Sequence, residues 1–494
     1  MVVLDDIKNH FRNKVLNILG IERDIHTLLN DKDVDRVIDL LQNRDDKVDE
    51  ALSEYDPKQH KVMHRPNKER DNDDPYITEK LPRNLQSYIN EIELFFLLGQ
   101  PIIWSKTDGE DEVFTLFTDF WKEHRLDSKM RKLKRLAGAE TEAALVFHIY
   151  QEDNEVKVIP FVAARSTGYK LRPLFDQYGQ MTAFAIGYTL KENIAGEGMV
   201  NITHWDIFTK DTLYYCKKGK LGWDVNPYNN SIGKIPAIYF TQPKAWAGSE
   251  ERLDRIEMLD SKTADTNNYF ADPIAAASAD VINNMAAPDK PGRLIQLTGS
   301  QSRFEYIQPP SNSQTRVEEK ADLKASVLFD TMTPDFDVEK MRGFGTLTGA
   351  AIKNTFAIGY IKRDNRKEDY DENVDRLRSV IMAILKLQHE NMGSKIDATK
   401  IKHEFADPFS SDKEQRWGQI SSLYGSGLVS LETAVSMLAL TDAPEDEVAR
   451  LHSAAMDEIF TANEAKGEPT PSMAEQEEEA KTGIRPVAQE EPEQ

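Results

Sequence analysis

Cysteine is almost absent from this chain, because Cys216 is the only one in 494 residues. A single thiol cannot form a disulfide within one chain, and it cannot supply a cysteine-rich zinc site. Cys216 lies in the strand-like stretch DTLYYCKKG, so we expect a half-buried structural residue and not a reactive nucleophile. The scarcity of cysteine excludes a disulfide-stapled scaffold and favours a reducing compartment.

Long apolar runs are also missing. No stretch approaches the roughly 18 apolar residues that a membrane-spanning helix needs. The N-terminal stretch MVVLDDIKNHFRNKVLNILG alternates apolar and charged side chains like an amphipathic helix, and it lacks the apolar core of a signal peptide. We therefore expect a soluble protein that folds inside the cell and has no membrane partner.

Positive charge is in deficit. The chain has 62 lysines and arginines against 84 aspartates and glutamates, which gives a net charge of −22. A surface of this sign repels nucleic acid, because phosphate contacts need lysine and arginine. This excludes a protein that grips DNA over a broad face, but it is compatible with one that lets DNA pass without adhering.

Recognisable catalytic motifs are missing as well. The glycine-rich GFGTLTGA has Ala350 after Gly349, where a phosphate loop needs a lysine. His403-Glu404 has no second histidine at the spacing of a zinc helix, and no G-x-S-x-G elbow occurs. We therefore expect no enzyme, no cofactor and no metal site, and we interpret the glycines as a hinge before a helix.

The first half of the chain changes from helical to strand-like periodicity. Helical patterns cover residues from about 4 to 53, then LPRNLQSYINEIELFFLLGQPI, and then stretches near 112–126 and 128–138. From Ala143 the period becomes two in six stretches, which predicts an antiparallel meander of about six strands packed on the preceding helices. The predicted fold class is α+β, mainly α.

The second half is dominated by long helices. One helix is predicted from the N-cap Ser249 to Pro273, and a second from Ser313 to Thr333. The insert between them suggests a short helix and two short strands, RLIQL and FEYIQ. Two or three short helices follow a strand-like IKHEFADPF, and the Glu-, Pro- and Gln-rich tail from Lys466 is predicted to be disordered.

A third helix, from about Thr348 to Met392, is far longer than the average of about 11–12 residues. Its charged middle, KRDNRKEDYDEN, is either a solvated segment or a kink, and Gly359 makes a bend possible. Acidic side chains there could bind a divalent cation, although a solvated helix face is the favoured interpretation: Asp364, Glu368, Asp369, Asp371 and Glu372.

A sparse row of cations precedes the glycine elbow. Arg316, Lys320 and Lys324 are four residues apart and line one helix face, and Lys340 and Arg342 follow at the elbow. Salt bridging on the helix surface, with Glu319 and Asp322 nearby, is one interpretation. The other is that these cations meet phosphate in an otherwise acidic conduit.

Several short motifs, in order along residues 45–460, resemble the portal proteins of tailed double-stranded DNA bacteriophages. The helix–insert–helix order is similar to that family's stem and clip, and TPDFDVEKMRGFGTLTGAAIK is similar to its loop-and-helix segment, with Thr348 where serine is common. The remaining matching positions are Tyr55, His60 and Arg65 in the lead-in, Gly99, Pro101 and Ile102 after a helix, and Gly233, Ile235 and Pro236 before a strand.

The resemblance implies a portal-type arrangement of parts around a ring. A ring of identical subunits is a closed heterologous assembly, so each subunit offers two different faces. The implied parts are a wing at 1–248, a stem helix at 249–272, a clip at 273–312, a second stem helix at 313–334, a tunnel loop at 335–347, a long tunnel helix with a return to the wing at 348–404, a crown at 405–463 and a disordered acidic tail at 464–494.

The resemblance also implies a function. About twelve copies would form a structural ring at one capsid vertex, the channel for double-stranded DNA entry and exit. Implied partners are the terminase packaging motor, later the adaptor or head-completion proteins, and the major capsid and scaffold proteins, with assembly in the host cytoplasm and residence in the virion. Alternatives are another head–tail ring component, such as an adaptor, or a DNA-packaging enzyme.

The elbow and the cationic helix face are the implied site. The residues expected to face DNA in the channel are Lys340, Met341, Arg342, Gly343, Phe344, Arg316, Lys320 and Lys324. The expected hinge consists of Pro334, Gly343, Gly345 and Gly349, because proline ends a helix and glycine permits backbone changes that other residues resist.

Overall fold

The computed structural model describes residues 25–67, 77–153, 155–194, 198–220, 222–271, 275–277, 304–306, 313–337, 353–409, 413–438 and 446–453. Contacts divide the chain into two units, Met1–Pro408 and Phe409–Gln494. The first unit is a mixed α/β structure in which every described strand pairing is antiparallel.

The helices of the first unit include those that the sequence predicts around the strands. The predicted helix over VDRVIDLLQNRDDKVDEALSEY is two helices, separated at residues 41–44, and the predicted helix before it lies outside the described residues. The bounds are α1 Ile25–Asn30, α2 Val34–Leu40, α3 Asp45–Tyr55, α4 Leu85–Leu98, α5 Asp111–Glu123, α6 Leu126–Glu140, α7 Glu250–Ala271, α8 Ser313–Asp330, α9 Ala357–Gln388 and α10 Gly393–Ala398.

The strands form more than the single meander that the sequence predicts. Their bounds are β1 Ile102–Asp108, β2 Glu142–Glu152, β3 Glu155–Ala163, β4 Lys170–Phe175, β5 Met181–Ile194, β6 Gly198–Thr209, β7 Thr212–Gly219, β8 Gly222–Asn229, β9 Ala237–Thr241, β10 Ala275–Ala277, β11 Phe304–Tyr306 and β12 Lys400–Phe405.

The expectation of one sheet was wrong. Strands β4 to β8 form a five-stranded meander, whereas β9 returns to pair with β2 in a second sheet of order β3-β2-β9. The reason lies in β2, whose residues Glu142–Phe147 are buried without alternation. Such a strand needs a hydrogen-bonded neighbour on each side and cover on both faces.

Four layers result from this pairing. Helices α1 and α2 cover one face of the five-stranded sheet, and its other face packs on the three-stranded sheet. The far face of the three-stranded sheet packs on α4, α5, α6 and α9. Alternate residues of β9 explain the arrangement: Ala237 and Tyr239 face the other sheet, while Ile238 and Phe240 face the helices.

Two further pairings involve short strands. The predicted strand IKHEF is β12, and it pairs with β1. The sequence did not predict β1, because buried and exposed positions alternate over only its first five residues. The predicted strand FEYIQ contains β11, which pairs with β10 at Ala275–Ala277. The other predicted strand, RLIQL, lies outside the described residues.

Helices α7 and α8 run antiparallel to each other. Side-chain contacts join Arg252 to Asp330 at one end and Arg316 to Thr266 at the other, with an Nη1–Oγ1 distance of 3.1 Å in the second pair. Ser249 precedes α7 as predicted, but its buried Oγ has no hydrogen-bond partner among the described residues, so it is not the side-chain cap that we expected.

The prediction that α8 continues to about Thr333, with Pro334 ending it, was wrong by three residues. The helix ends at Asp330, and Met332 adopts a left-handed conformation with φ +50°. The amides of Met332 and Thr333 donate to the carbonyls of Phe329 and Leu328, which is the hydrogen-bond pattern of a Schellman termination. The backbone therefore turns before the proline is reached.

Helix α9 continues through its charged middle. The solvated-segment interpretation holds for one side of the helix, where Asp364, Glu368 and Asp369 are exposed. On the other side Lys362 and Tyr370 are buried. Gly359 leaves room for a neighbouring ring: an added Cβ would lie 2.5 Å from Phe96 Cζ.

The second unit contains the short helices that the sequence predicts. Its described helices are α11 Lys413–Gly425 and α12 Leu431–Leu438, and residues 446–453 are also helical. No helix among the described parts of either unit is both long and apolar enough to cross a bilayer. The predicted disordered tail at 464–494 lies outside the described residues.

Candidate functional site

One side of α7 is lined by polar side chains that hold residues 77–84, which we call the strap. The amides of Glu79, Leu81 and Arg83 donate to Asp265 Oδ1, Ser261 Oγ and Glu257 Oε1, at 2.7, 2.9 and 2.8 Å respectively. Alternate amides of the strap thus meet every fourth residue of the helix. The two-residue repeat of an extended chain is thus paired with the four-residue spacing of side chains on one face of an α-helix.

The lead-in residues Tyr55, His60 and Arg65 contribute to the same attachment. Tyr55 stacks on Trp246 with ring centroids 5.6 Å apart. His60 Nδ1 lies 2.6 Å from Glu257 Oε1, and Arg65 Nη2 lies 2.7 Å from Asp265 Oδ2. These three residues are therefore structural attachments of α7 and of the segment that precedes it.

The predicted cationic row on α8 is already partnered within the chain. Lys320 Nζ lies 2.9 Å from Asp260 of α7, and Lys324 Nζ lies 3.3 Å from Asp335. Arg316 donates to Thr266. The partners are not the Glu319 and Asp322 that we expected, because Glu319 pairs instead with Arg255 of α7.

The described residues on the two sides of segment 338–352 meet beside α4. On the incoming side, Tyr88 Oη donates to the carbonyl of Pro334 and accepts from the amide of Phe336, both at 2.9 Å. On the outgoing side, Phe356 stacks on Phe336 with ring centroids 4.7 Å apart. Pro334, Phe336 and Phe356 therefore lie together beside α4, and we call this cluster the loop base.

Aromatic rings of α4 complete the loop base. Phe95 and Phe96 contact Phe336 at centroid distances of 6.2 and 6.4 Å, and Phe96 also meets Tyr360 edge-on at 5.6 Å. Such edge-on and offset contacts contribute about 0.5–1.5 kcal/mol each beyond area burial. The missing Cβ of Gly359 permits this close packing of α9 on α4.

A buried ionic cluster lies beside the loop base. Glu93 of α4 is fully buried and accepts contacts from Lys134 Nζ at 2.7 Å, Arg366 Nε at 2.9 Å and Lys362 Nζ at 3.3 Å. Lys362 Nζ also lies 3.3 Å from Thr333 Oγ1, just beyond the end of α8. One carboxylate thus connects α4, α6, α9 and the turn after α8.

Burial and charge act against each other in this cluster. Burial favours the neutral acid, but the three surrounding cations outweigh it and hold the pKa of Glu93 well below its usual range. Burial lowers the pKa of Lys362 to about 8, although Glu93 opposes the change. Burial likewise lowers the pKa of Lys134.

Several expected site residues lie outside the described part of the chain. These are Lys340, Met341, Arg342, Gly343, Phe344, Gly345 and Gly349. Pro334 is described, and it contributes its carbonyl to the loop base. Among the described residues, no group of three or more His, Cys, Asp or Glu side chains is placed to hold a metal ion.

Sequence reasoning missed Glu93, Tyr88 and Gly359 as parts of this region. The signal for Glu93 was present, because this acid lies at helical spacing from the apolar Ile89 and Phe96 on the buried side of α4. An acid on such a face needs a buried cation. The sequence alone did not identify Lys134, Lys362 and Arg366 as those cations, because they come from distant segments.

Solved structures with low similarity to this chain come from gene transfer agent (GTA) particles. A chain from the neck of an empty GTA particle, computed with C6 symmetry, is 10% identical with a TM-score of 0.39, covering 72% of this chain and 89% of that one. A chain from the virion of a native gene transfer agent particle is 11% identical with a TM-score of 0.37 and the same coverage. No curated protein matches this chain.

A family model gives the stronger result. The model of the phage portal protein family, SPP1 Gp6-like, matches residues 34–459. This range contains α2 to α12, both ends of segment 338–352 and every described strand. It also contains all the motifs on which the resemblance in the sequence rests. The chain belongs to the SPP1 Gp6-like family of phage portal proteins.

Proposed function

We propose that this chain forms the portal ring at one vertex of a phage capsid and that double-stranded DNA enters and leaves through its centre. The loop base is the observation that carries the proposal. Pro334 and Phe336 are attached to α4, and Phe356 stacks on Phe336. The residues between these two sides can therefore extend into a channel without moving the layers behind them.

In this proposal each part has a position in the ring. Helices α7 and α8 form the stem, and the insert at 273–312 forms the clip, where the terminase motor and later the adaptor or head-completion proteins dock. The layered sheets and helices form the wing, the segment at 335–347 forms the tunnel loop, and the second unit lies in the crown. A heterologous ring of about twelve copies turns each of these into a circle of identical surfaces.

The negative net charge of the chain supports a channel to which DNA does not adhere. The chain carries a net charge of −22, and each phosphate contact would add affinity that falls steeply with salt. Arg316, Lys320 and Lys324 contact Thr266, Asp260 and Asp335 within the chain, so their action on DNA is reduced by these partners. Contacts with phosphate thus fall mainly to Lys340 and Arg342 of the tunnel loop.

Electron microscopy of the purified protein tests the ring. We expect closed rings with a central hole, in the absence of DNA and of other virion proteins. A population of monomers or open filaments would refute the proposal. Turnover of ATP by the protein without partners would instead favour a packaging enzyme, and a ring that joins capsids only after DNA filling would favour an adaptor.

The variant Arg342→Glu tests the channel. We expect rings of normal size but reduced DNA packaging or retention, because the reversed charge repels phosphate at the constriction. Arg36→Glu, on an exposed face of α2, is the matched control and is expected to fill with DNA like the wild type. Equal filling by the two variants would show that Arg342 does not meet DNA.

A further inference from the structure

His60 is a buried histidine whose two ring nitrogens both face hydrogen-bond acceptors. Nδ1 lies 2.6 Å from Glu257 Oε1, and Nε2 lies 2.8 Å from the carbonyl oxygen of Glu54. Glu257 Oε1 also accepts the amide of Arg83 at 2.8 Å, so it acts as an acceptor toward two donors. A neutral imidazole has one N–H and can satisfy only one of these two acceptors.

The surroundings of His60 favour the doubly protonated ring. Asp254 and Glu257 face it from α7, and Asp56 adds a third negative charge at the end of α3. The nearby cations are engaged elsewhere, because Lys61 pairs with Asp254 and the guanidinium of Arg83 pairs with Asp260. Burial alone lowers the pKa of His60, but the hydrogen bond and charge of Glu257 outweigh it, and the net pKa is raised.

The contact with Glu257 connects three separate parts of the chain. Glu257 lies on α7, Arg83 lies in the strap, and His60 lies between the two short 3₁₀ turns Pro57–Gln59 and Lys61–His64. His60 and Glu257 are 5% and 2% exposed, so water does not replace a hydrogen bond that is lost there. A change of charge at His60 therefore acts on the end of the strap nearest α4.

We propose that His60 is a proton-operated clasp that fastens the strap and the lead-in segment to α7. With both ring nitrogens protonated, the ring donates one hydrogen bond to the Glu54 carbonyl and one to the Glu257 carboxylate. Its positive charge then balances the carboxylate that accepts the amide of Arg83. On loss of one proton, the ring keeps a hydrogen bond to only one of its two acceptors, and Glu257 loses its counter-charge. The proton moves from a ring nitrogen to bulk water, and no other chemistry takes part.

The direction of the pH dependence follows from the sign of the shift. Because the folded protein binds this proton more tightly than the unfolded chain does, the stabilisation is fully present below about pH 6.5. This stabilisation is lost as the pH rises through the raised pKa of His60 in the folded protein. The clasp is therefore closed in mildly acidic solution and opens toward alkaline pH, independently of whether the chain forms a ring.

Hydrogen exchange of the strap amides tests this proposal in the full-length protein. The readout is the protection factor of peptides covering residues 77–85, corrected for the intrinsic pH dependence of exchange, between pH 6 and pH 9. We expect protection in the wild type to fall by about ten-fold for each unit by which the pKa of His60 is raised. In His60→Gln, which cannot change charge, we expect a low protection that is the same at both pH values.

His403→Gln is the matched control. The ring nitrogens of His403 also lie near two acceptors, Asp371 Oδ1 at 3.0 Å and Asp375 Oδ1 at 3.4 Å. His403 is in β12 and both aspartates are in α9, so none of the three belongs to the strap or to α7. We expect this variant to keep the wild-type pH dependence in the strap. Loss of the dependence in both variants would indicate a global effect and refute the clasp.

A second measurement keeps the test valid if His60→Gln does not fold. The imidazole of His60 can be titrated by NMR in the wild type and in Glu257→Gln. In the wild type we expect the pKa of His60 to lie above the ordinary value for histidine. In Glu257→Gln, which removes the counter-charge, we expect this pKa to decrease. An ordinary or lowered value in the wild type, or protection of the strap that is the same at pH 6 and pH 9, would overturn the proposal.

Discussion

At the scale of single residues, Asp206 is unusual because it is buried between two sheets and forms no ion pair with any described residue. Tyr188 Oη donates to both of its oxygens at 3.2 Å. The carboxyl also borders a cavity of about 20 Å³, which is room for one water molecule. Burial raises the pKa of Asp206 to about 7, although the Tyr188 hydrogen bond opposes the change. Above neutral pH the fold therefore carries a buried negative charge.

We predict that Asp206→Asn stabilises the protein at alkaline pH. A raised pKa means that the favourable contribution is present at low pH and is lost as the pH rises through about 7. The variant should exceed the wild type by roughly 2–4 kcal/mol in free energy of unfolding at pH 8.5, and this advantage should shrink by about 2 kcal/mol at pH 5.5. Urea unfolding at both pH values measures it, and an advantage that does not depend on pH would contradict it.

Glu93 is the opposite case, a buried charge with three partners. Glu93→Gln leaves the positive charges of Lys134, Lys362 and Arg366 without compensation, so we expect a loss of about 3–5 kcal/mol in free energy of unfolding. Glu91→Gln, which removes an exposed pair with Arg135 two residues away on α4, should cost under about 1 kcal/mol. Equal losses in urea unfolding would mean that the cluster does not stabilise the fold.

At the scale of elements, the crossing of α4 and α9 depends on a side chain that is absent. Phe96 of α4 occupies the space above Gly359 of α9, and the same ring meets Phe336 and Tyr360 in the loop base. The α4 crossing with α6 is similar, because an added Cβ at Gly138 would lie 1.9 Å from Asn90 Oδ1. Two close crossings thus fix α4 between its neighbours and place the loop base.

We predict that Gly359→Ala destabilises the protein by about 1–3 kcal/mol, because Phe96 must leave its position. Gly418→Ala is the matched control, since Gly418 lies in α11 with open space around the added Cβ. It should stabilise by up to about 1 kcal/mol through helix propensity. Thermal unfolding of the two variants checks the signs, and stabilisation by Gly359→Ala would show that the α4–α9 crossing is loose.

At the scale of the whole molecule, the buried apolar clusters found among the described residues lie in the first unit. The cluster that joins the three-stranded sheet to the helices ends at Phe405, and the others end earlier in the chain. None of these clusters includes a residue of the second unit. The first unit therefore has its own hydrophobic core, which is what an independently folding domain needs.

We predict that a chain ending at Pro408 folds. It should keep the near-ultraviolet circular dichroism of its buried tryptophans and show a cooperative thermal transition, because its clusters are intact. Ring assembly by the shortened chain is then a separate measurement by electron microscopy. A shortened chain that lacks a cooperative transition would mean that the second unit stabilises the first.

The sequence predicted most elements correctly, and its errors have physical causes. Helical and strand periodicity identified α4 to α8 and β12, since these segments have one buried face. The division into two sheets was missed because the return of β9 to β2 depends on a pairing of distant segments. Helix α8 ended early because Met332 adopts a conformation that residue preferences assign to glycine.

The candidate site was predictable only in part. The elbow and the cations of α8 were visible as residue types. The partners of those cations, Asp260, Thr266 and Asp335, depend on how α8 packs on α7 and on the turn after α8. The lead-in residues Tyr55, His60 and Arg65 were visible as a motif without a role. Their role becomes clear only when α7 lies beside them.

The attachment of the strap to α7 has a limit set by two different repeats. Four residues of an α-helix advance about 6 Å, whereas two residues of an extended chain advance about 6.7 Å. The mismatch grows by about 0.7 Å with each contact, and side chains of different length at 257, 261 and 265 absorb it over the span observed. The helix and the strap are therefore in register only over a short span, so lengthening both would not add further hydrogen bonds between them.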